Sequence, residues 1–235
     1  MTRPSVGCLI PAYNEAARIG AVLAALRRHP LIDRLLVVDD GSTDGTAAVA
    51  RAAGAEVLAL SPNRGKTAAV AEGAAALQCD LLLLLDSDLT GLGAADVTAL
   101  LSPVLRDEAD VALSLRGNAP LAWRLIGVDY ISGERVLPRA QLLAELERLR
   151  RLPRFGLEAH LNGVWIARGC RVAICRWPGV ASPAKARKRG LVGGLRADLA
   201  MLRDIFRVIS PAAALRQILR LRRQARRHAS VALHR

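Results

Sequence analysis

Strand-length apolar runs that alternate with helical patterns restrict this chain more than any other feature. SVGCLI (5–10) is followed by a helical pattern over about 14–28. RLLVVDD (34–40) ends in acids, and in the GSTDG behind it Thr43 or Asp44 can cap a helix reaching about residue 53. AEVLAL (55–60) reads as a third strand, 65–77 as a third helix and DLLLLLD (80–86) as a fourth strand. Strand and helix in strict turn, with short loops, predict an α/β fold: a Rossmann-like, mostly parallel sheet flanked by helices on both faces. The polar residues after each apolar run then collect at one carboxyl edge, where open α/β sheets bind ligands.

Beyond residue 89 the pattern loosens. Residues 95–105 read as helix and DVALSL (110–115) as strand, and helical patterns return over 120–131, 138–151 and 155–162. GVWIARGCRVAICRW (163–177) reads as a last helical turn, a turn at Arg168-Gly169 and a strand. A Pro-rich, basic passage (177–194) leads to two further helices, about 195–209 and 211–228. There is no internal repeat.

At 235 residues the chain can bury one sizeable core. It has no run near the roughly 18–20 apolar residues that span a bilayer, and its first residues lack a signal peptide's cleavage pattern. Cys8, Cys79, Cys170 and Cys175 are scattered without a CxxC pair, which argues for reduced thiols and against zinc. A cytoplasmic protein is expected. Residues 185–235 carry fourteen Lys or Arg against Asp198 and Asp204, so this segment holds all but one of the formal charge of +13. A nearly neutral body with a basic tail points to an anionic partner for the tail.

The stretch LLLLLDSDL (81–89) sets the chemical problem. Five leucines belong inside a protein, and Asp86 and Asp88 follow at once. Desolvated carboxylates need a positive partner. Asp-x-Asp-x-Thr after a strand also suits a haloacid-dehalogenase-like phosphatase, but no downstream acid pair follows and the next Lys is Lys185. Gly65-Lys66-Thr67 resembles the end of a P-loop, yet Leu60 stands where its first Gly belongs.

Taken together and in order, IPAYNEA, VVDDGSTDGT, NRGKTAAV and LLLLDSDL resemble the nucleotide-binding half of family 2 glycosyltransferases with the GT-A fold. The resemblance covers about 6–92. It extends more weakly through ISGERVL and FGLEAHLN, which resemble the acceptor half of polyprenyl-phosphate sugar synthases and glucosyl-3-phosphoglycerate synthases, and it fades after Trp177. It implies a GT-A domain over 1–184, with a nucleotide-binding half at 1–92 and an acceptor half at 93–184. The basic helical extension is then 185–235.

The resemblance also implies the missing cation: Mg²⁺ or Mn²⁺ on a nucleotide-sugar diphosphate, stabilising charge on the departing nucleoside diphosphate. Asp88 is then the direct metal ligand, and Asp86 holds the ribose or a metal-bound water, with Ser87 between them. Pro11, Ala12, Asn14 and Glu15 line the nucleoside pocket, Glu15 near the ribose. Asp40, with Asp39 beside it, accepts from the base, which favours a UDP-sugar while leaving GDP- and dTDP-sugars open. Arg64, Gly65 and Lys66 meet the base or diphosphate, though a solvated loop charge explains Arg64 as well.

On the acceptor side Glu158 is the expected general base, with Glu134 the alternative, and Arg135 is placed to hold an acceptor phosphate. Relatives often supply a metal-binding His near WPGVASPAKARK; here none occurs between His160 and His228, which leaves His160, or the charges of Lys185 and Lys188, to substitute. The acceptor stays open among a lipid phosphate, a glycan and a small phosphorylated metabolite. Two other readings remain: a nucleotide-sugar pyrophosphorylase-like nucleotidyltransferase, and an inactive nucleotide-sugar-binding protein. The basic tail lacks aromatics or a nucleic-acid motif, so nucleic acid is not expected. Its leucines and arginines at helical spacing fit an anionic membrane surface, which would make the protein peripheral on the inner face. They fit packing on the body or in a homodimer equally well.

Overall fold

The computed structural model describes residues 3–119, 121–152, 156–183 and 209–232. The first half follows the alternation in the sequence: β1 (Val6–Ala12), α1 (Ala16–Leu26), β2 (Arg34–Asp39), α2 (Thr46–Ala52), β3 (Glu56–Ala59), α3 (Lys66–Ala76) and β4 (Leu81–Leu84). Then come α4 (Ala94–Leu105), β5 (Val111–Arg116), α5 (Leu121–Ile126), β6 (Arg135–Pro138), α6 (Arg139–Leu143), α7 (Leu146–Arg151), α8 (Leu157–Ala167) and β7 (Val172–Trp177). A final helix, α9, spans Pro211–Ala232. The helix expected over 195–209, and Lys185 and Lys188, lie outside the described residues.

One seven-stranded sheet runs in the order β3-β2-β1-β4-β6-β5-β7. β1 pairs in parallel with β2 on one side and β4 on the other, so the strand order reverses between β1 and β4. Crevices at such reversals bind ligands. β6 runs antiparallel between β4 and β5. Sequence reading missed it, because only Val136 and Leu137 of RVLP are apolar and four residues show no period.

The leucine run is explained by burial on both faces. Leu82 and Leu84 join Leu9, α3, α8 and α9 in one core, while Leu81, Leu83 and Leu85 join Val6, Cys8, Ile10, α1 and α4 in the other. A strand covered on both sides has no polar face. The single helix expected over 138–151 is broken into α6 and α7 at Ala144-Glu145.

The tail helix packs on the body. Ala214, Ile218 and Leu221 of α9 are buried in the first core, and Tyr130 Oη donates to Gln217 Oε1 at 2.7 Å. Leu215 and Leu219 remain 55% and 43% exposed.

α3 can lie close on the sheet because Gly73 has no side chain. A Cβ there would overlap Leu9 Cδ1 and stand 2.6 Å from Val38 Cγ2. Gly73→Val should therefore destabilise the protein by about 1–3 kcal/mol through overpacking, measured by urea denaturation with the slope unchanged.

Candidate active site

Each strand end brings its polar residues to the β1/β4 crevice. After β1 the chain turns through Asn14, held at φ 54°. Its backbone N–H donates to Ser42 Oγ at 2.9 Å, and its Oδ1 accepts from Thr43 N–H at 2.9 Å. Glu15 N–H donates to Thr46 Oγ1 at 2.9 Å, and the Glu15 carboxylate pairs with Arg18 at 3.1 Å. These bonds staple the PAYNEA loop to the GSTDG loop. Asp44, expected as a cap for α2, accepts from Thr46 N–H and also from Ala16 N–H, the first residue of α1.

Asp39 and Asp40 are both buried. Asp39 Oδ1 accepts from Ser42 N–H at 2.9 Å. Asp40, expected to face a base, turns instead into the loop after β3. Its Oδ1 accepts from Arg64 N–H at 2.9 Å, and its Oδ2 from Gly65 N–H at 2.6 Å and Asn63 Nδ2 at 2.9 Å. The protein's own amides make the bonds expected of a nucleobase, so Asp40 shapes the loop that carries Lys66. Arg64 points along α3 to Glu72 at 3.4 Å, with 44% of its side chain exposed.

The positive partner of the acidic strand end is Lys66. Its Nζ donates to Asp86 Oδ1 at 2.7 Å and to Glu158 Oε1 at 2.8 Å. Burial works against this charge, but the two carboxylates outweigh it and hold the ammonium above its usual range. One residue of the nucleotide half thus joins Asp86, past β4, to Glu158 in the first turn of α8. Ser87 is buried and Asp88 half-buried beside them. The backbone at Gly133 closes over the pair: a Cβ there would overlap Asp86 Oδ1 and stand 2.6 Å from Lys66 Nζ.

Behind Asp86 lies a second buried charge cluster that sequence reading did not find. Arg116, the last residue of β5, donates from Nη2 to Asp129 Oδ2 at 2.9 Å and stands 3.7 Å from Glu134 Oε2. It also donates from Nη1 to Ser182 Oγ at 2.5 Å. An Arg ending an apolar strand was the available signal, readable by the same logic as the acids. Thr90 and Ala181 form a backbone bridge across the mouth, which ties the segment after β7 to the segment after Asp88.

Glu134 is fully buried and does not face the crevice as a base must. Its Oε2 lies 2.7 Å from both Ser114 Oγ and Ser132 Oγ, which are 2.8 Å from each other. Three close oxygen pairs need three hydrogens, and the serines supply two. The third belongs to the Glu134 carboxyl, whose pKa burial pushes up, with Asp86 adding and Arg116 opposing. Arg135 is likewise not available to an acceptor phosphate. It is fully buried, donates to Ser132 O, Asn162 Oδ1 and Tyr130 O, and stacks 5.1 Å from the Trp165 ring centroid.

His160 does not reach the carboxylates. Its Nε2 meets Glu145 Oε2 at 2.9 Å, because two residues along a helix from Glu158 it points roughly 200° away. Among the described residues no group of three His, Cys, Asp or Glu could hold a metal by itself. The four cysteines are free.

Residues 8–154 match the family model for glycosyl transferase family 2. A glycosyltransferase of Mycobacterium tuberculosis is 30% identical over 234 residues, spanning 89% of this chain and all of that protein. Glucosyl-3-phosphoglycerate synthase of Mycolicibacterium smegmatis is 34% identical over 110 residues, 43% of this chain and 36% of that protein. In fold, the chain superposes on a crystal structure of glucosyl-3-phosphoglycerate synthase from M. tuberculosis with Mn²⁺, UDP-glucose and phosphoglyceric acid. That match has a TM-score of 0.62 and 24% identity over 86% of this chain and 80% of that one.

Glu134 supplies a pH test. Its folded pKa lies above the ordinary value near 4.5, so its contribution to stability is complete below that pH and is lost as pH rises towards the folded value. Glu134→Gln, which keeps the neutral shape, should match wild type near that pH and become progressively more stable than it at higher pH. Parallel melting curves from pH 4 to 8 would show whether the gap opens.

Proposed function

The chain belongs to glycosyl transferase family 2 and is a glycosyltransferase, and on that footing we propose that it moves a sugar from a nucleotide-sugar donor to an acceptor that meets Glu158. The observation that carries this reading is the junction at Lys66, which brings Asp86 and Glu158 within one hydrogen bond of the same ammonium in the β1/β4 crevice. The nucleoside lies along the stapled strand ends, against Pro11, Ala12, Asn14, Glu15 and Asp39. A UDP-sugar is the first donor to test, in keeping with the donor in the M. tuberculosis synthase complex.

Asp86 and Asp88 offer hard carboxylate oxygens, which suit Mg²⁺ or Mn²⁺ with the remaining ligands drawn from the donor's phosphates. Such an ion, when bound, stabilises negative charge on the departing diphosphate. Glu158 accepts the proton of an attacking hydroxyl, while a phosphate acceptor needs no such base. The pyrophosphorylase reading loses support, since the loop after β1 is pinned by Ser42 and Thr46 rather than free to wrap a triphosphate.

The tail adds a surface. Leu215 and Leu219 lie on the outer flank of α9 with Arg216, Arg220 and Arg223, all exposed. Among the described residues no helix is long and apolar enough to cross a membrane. Leucines flanked by arginines fit the interface of an anionic bilayer, with each surface-proximal basic residue contributing on the order of 1 kcal/mol.

Asp88→Ala should abolish Mn²⁺-dependent UDP binding in calorimetry while leaving the melting temperature within a degree or two. Glu158→Gln should lower kcat by roughly 10²–10⁴-fold with donor affinity little changed; equal losses in both would remove its role as base. Full-length protein should sediment with anionic vesicles at low salt and not with neutral ones. The double change Leu215→Ser, Leu219→Ser should release it without unfolding, because Ile218 and Leu221 still anchor the helix.

A further inference from the structure

Lys66 occupies the place of a cation. Its ammonium lies between carboxylates from two different elements, and only 23% of its side chain is exposed. The backbone at Gly133 encloses it, with no room for even a methyl group between them. We propose that Lys66 is the resident cation of the ligand-free site, and that it makes metal and nucleotide bind as one unit. The inference rests on reading Asp86 and Asp88 as the cation ligands.

The argument is electrostatic. A divalent ion that approaches Asp86 alone meets an ammonium already bonded to the same carboxylate. The two cations repel at short range in a half-buried site, where screening is weak. The metal gains only a share of a carboxylate whose charge is already balanced. A nucleoside diphosphate changes the count, because it brings several anionic oxygens that can receive both cations. Lys66 opens α3 on a flexible four-carbon stem, so its ammonium can turn from the carboxylates to the diphosphate. That turn vacates Asp86 for the metal and also removes the partner of Glu158. The acceptor-side carboxylate is therefore released when the donor is in place.

Mn²⁺ alone, and Mn²⁺ with UDP, titrated into wild type, Lys66→Met and Lys66→Arg would test this. Free Mn²⁺ can be read by electron paramagnetic resonance and UDP by calorimetry. Lys66→Met should bind Mn²⁺ alone at least tenfold more tightly than wild type, and Mn²⁺–UDP at least tenfold more weakly. Lys66→Arg should keep the weak Mn²⁺ affinity of wild type. Loss of a merely structural contact would not move the two affinities in opposite directions. If Lys66→Met fails to fold by circular dichroism, Lys66→Met with Glu158→Gln restores the charge balance and should show the same gain in Mn²⁺ affinity. Folded Lys66→Met with unchanged or weaker Mn²⁺ binding, while wild type binds Mn²⁺–UDP, overturns the proposal about Lys66 alone. Wild type that takes up no Mn²⁺ even with UDP overturns the metal reading as well.

Discussion

Compensation of buried carboxylates organises this molecule. The crevice collects Asp39, Asp40 and Asp86 from three strand ends and Glu158 from a helix start, and an uncompensated charge in such a place costs several kcal/mol. The fold meets that cost in three ways. Asp39 and Asp40 accept backbone N–H groups of neighbouring loops. Asp86 and Glu158 share Lys66. Glu134 keeps its proton beside two serines, while Arg116 neutralises Asp129. Each device also fixes a loop, so the solution to the charge problem is what gives the site its shape. The same device leaves a residue of cost: Asp129 Oδ1 and Glu134 Oε1 are buried without a hydrogen-bond partner among the described residues.

The first half of the fold was legible because its strands are buried on both faces and its helices are amphipathic, so period and length separate them. The acids at the ends of β2 and β4 were legible as site residues for the same reason: an apolar strand has no other cause to end in paired carboxylates. β6 was not legible, since a four-residue strand in the middle of a sheet depends on neighbours supplied by β4 and β5. The directions of side chains were not legible either. Asp40 and Arg135 both sit in the expected region, yet one faces a loop and the other the core. Arg135 has the composition of a phosphate ligand, and only the surrounding Asn162, Tyr130 and Trp165 show that its charge is spent internally. His160 fails as a metal ligand by helical phase, which becomes readable only once α8 is known to continue from Leu157 to Ala167.

The antiparallel course of β6 has a consequence for how such a protein can change. Every parallel strand delivers its last residue to the crevice, but β6 delivers its first, so the connection between α5 and β6 arrives there from outside the alternating pattern. That connection touches the Lys66 junction through backbone at Gly133 and is held by a strand whose other end lies across the sheet. Insertions or exchanges between Gly127 and Ser132 can therefore remodel the wall that an acceptor meets while the nucleotide side keeps its register. Donor and acceptor preference sit on separately adjustable pieces of chain, one tied to the rigid parallel ladder and one free to vary in length and composition.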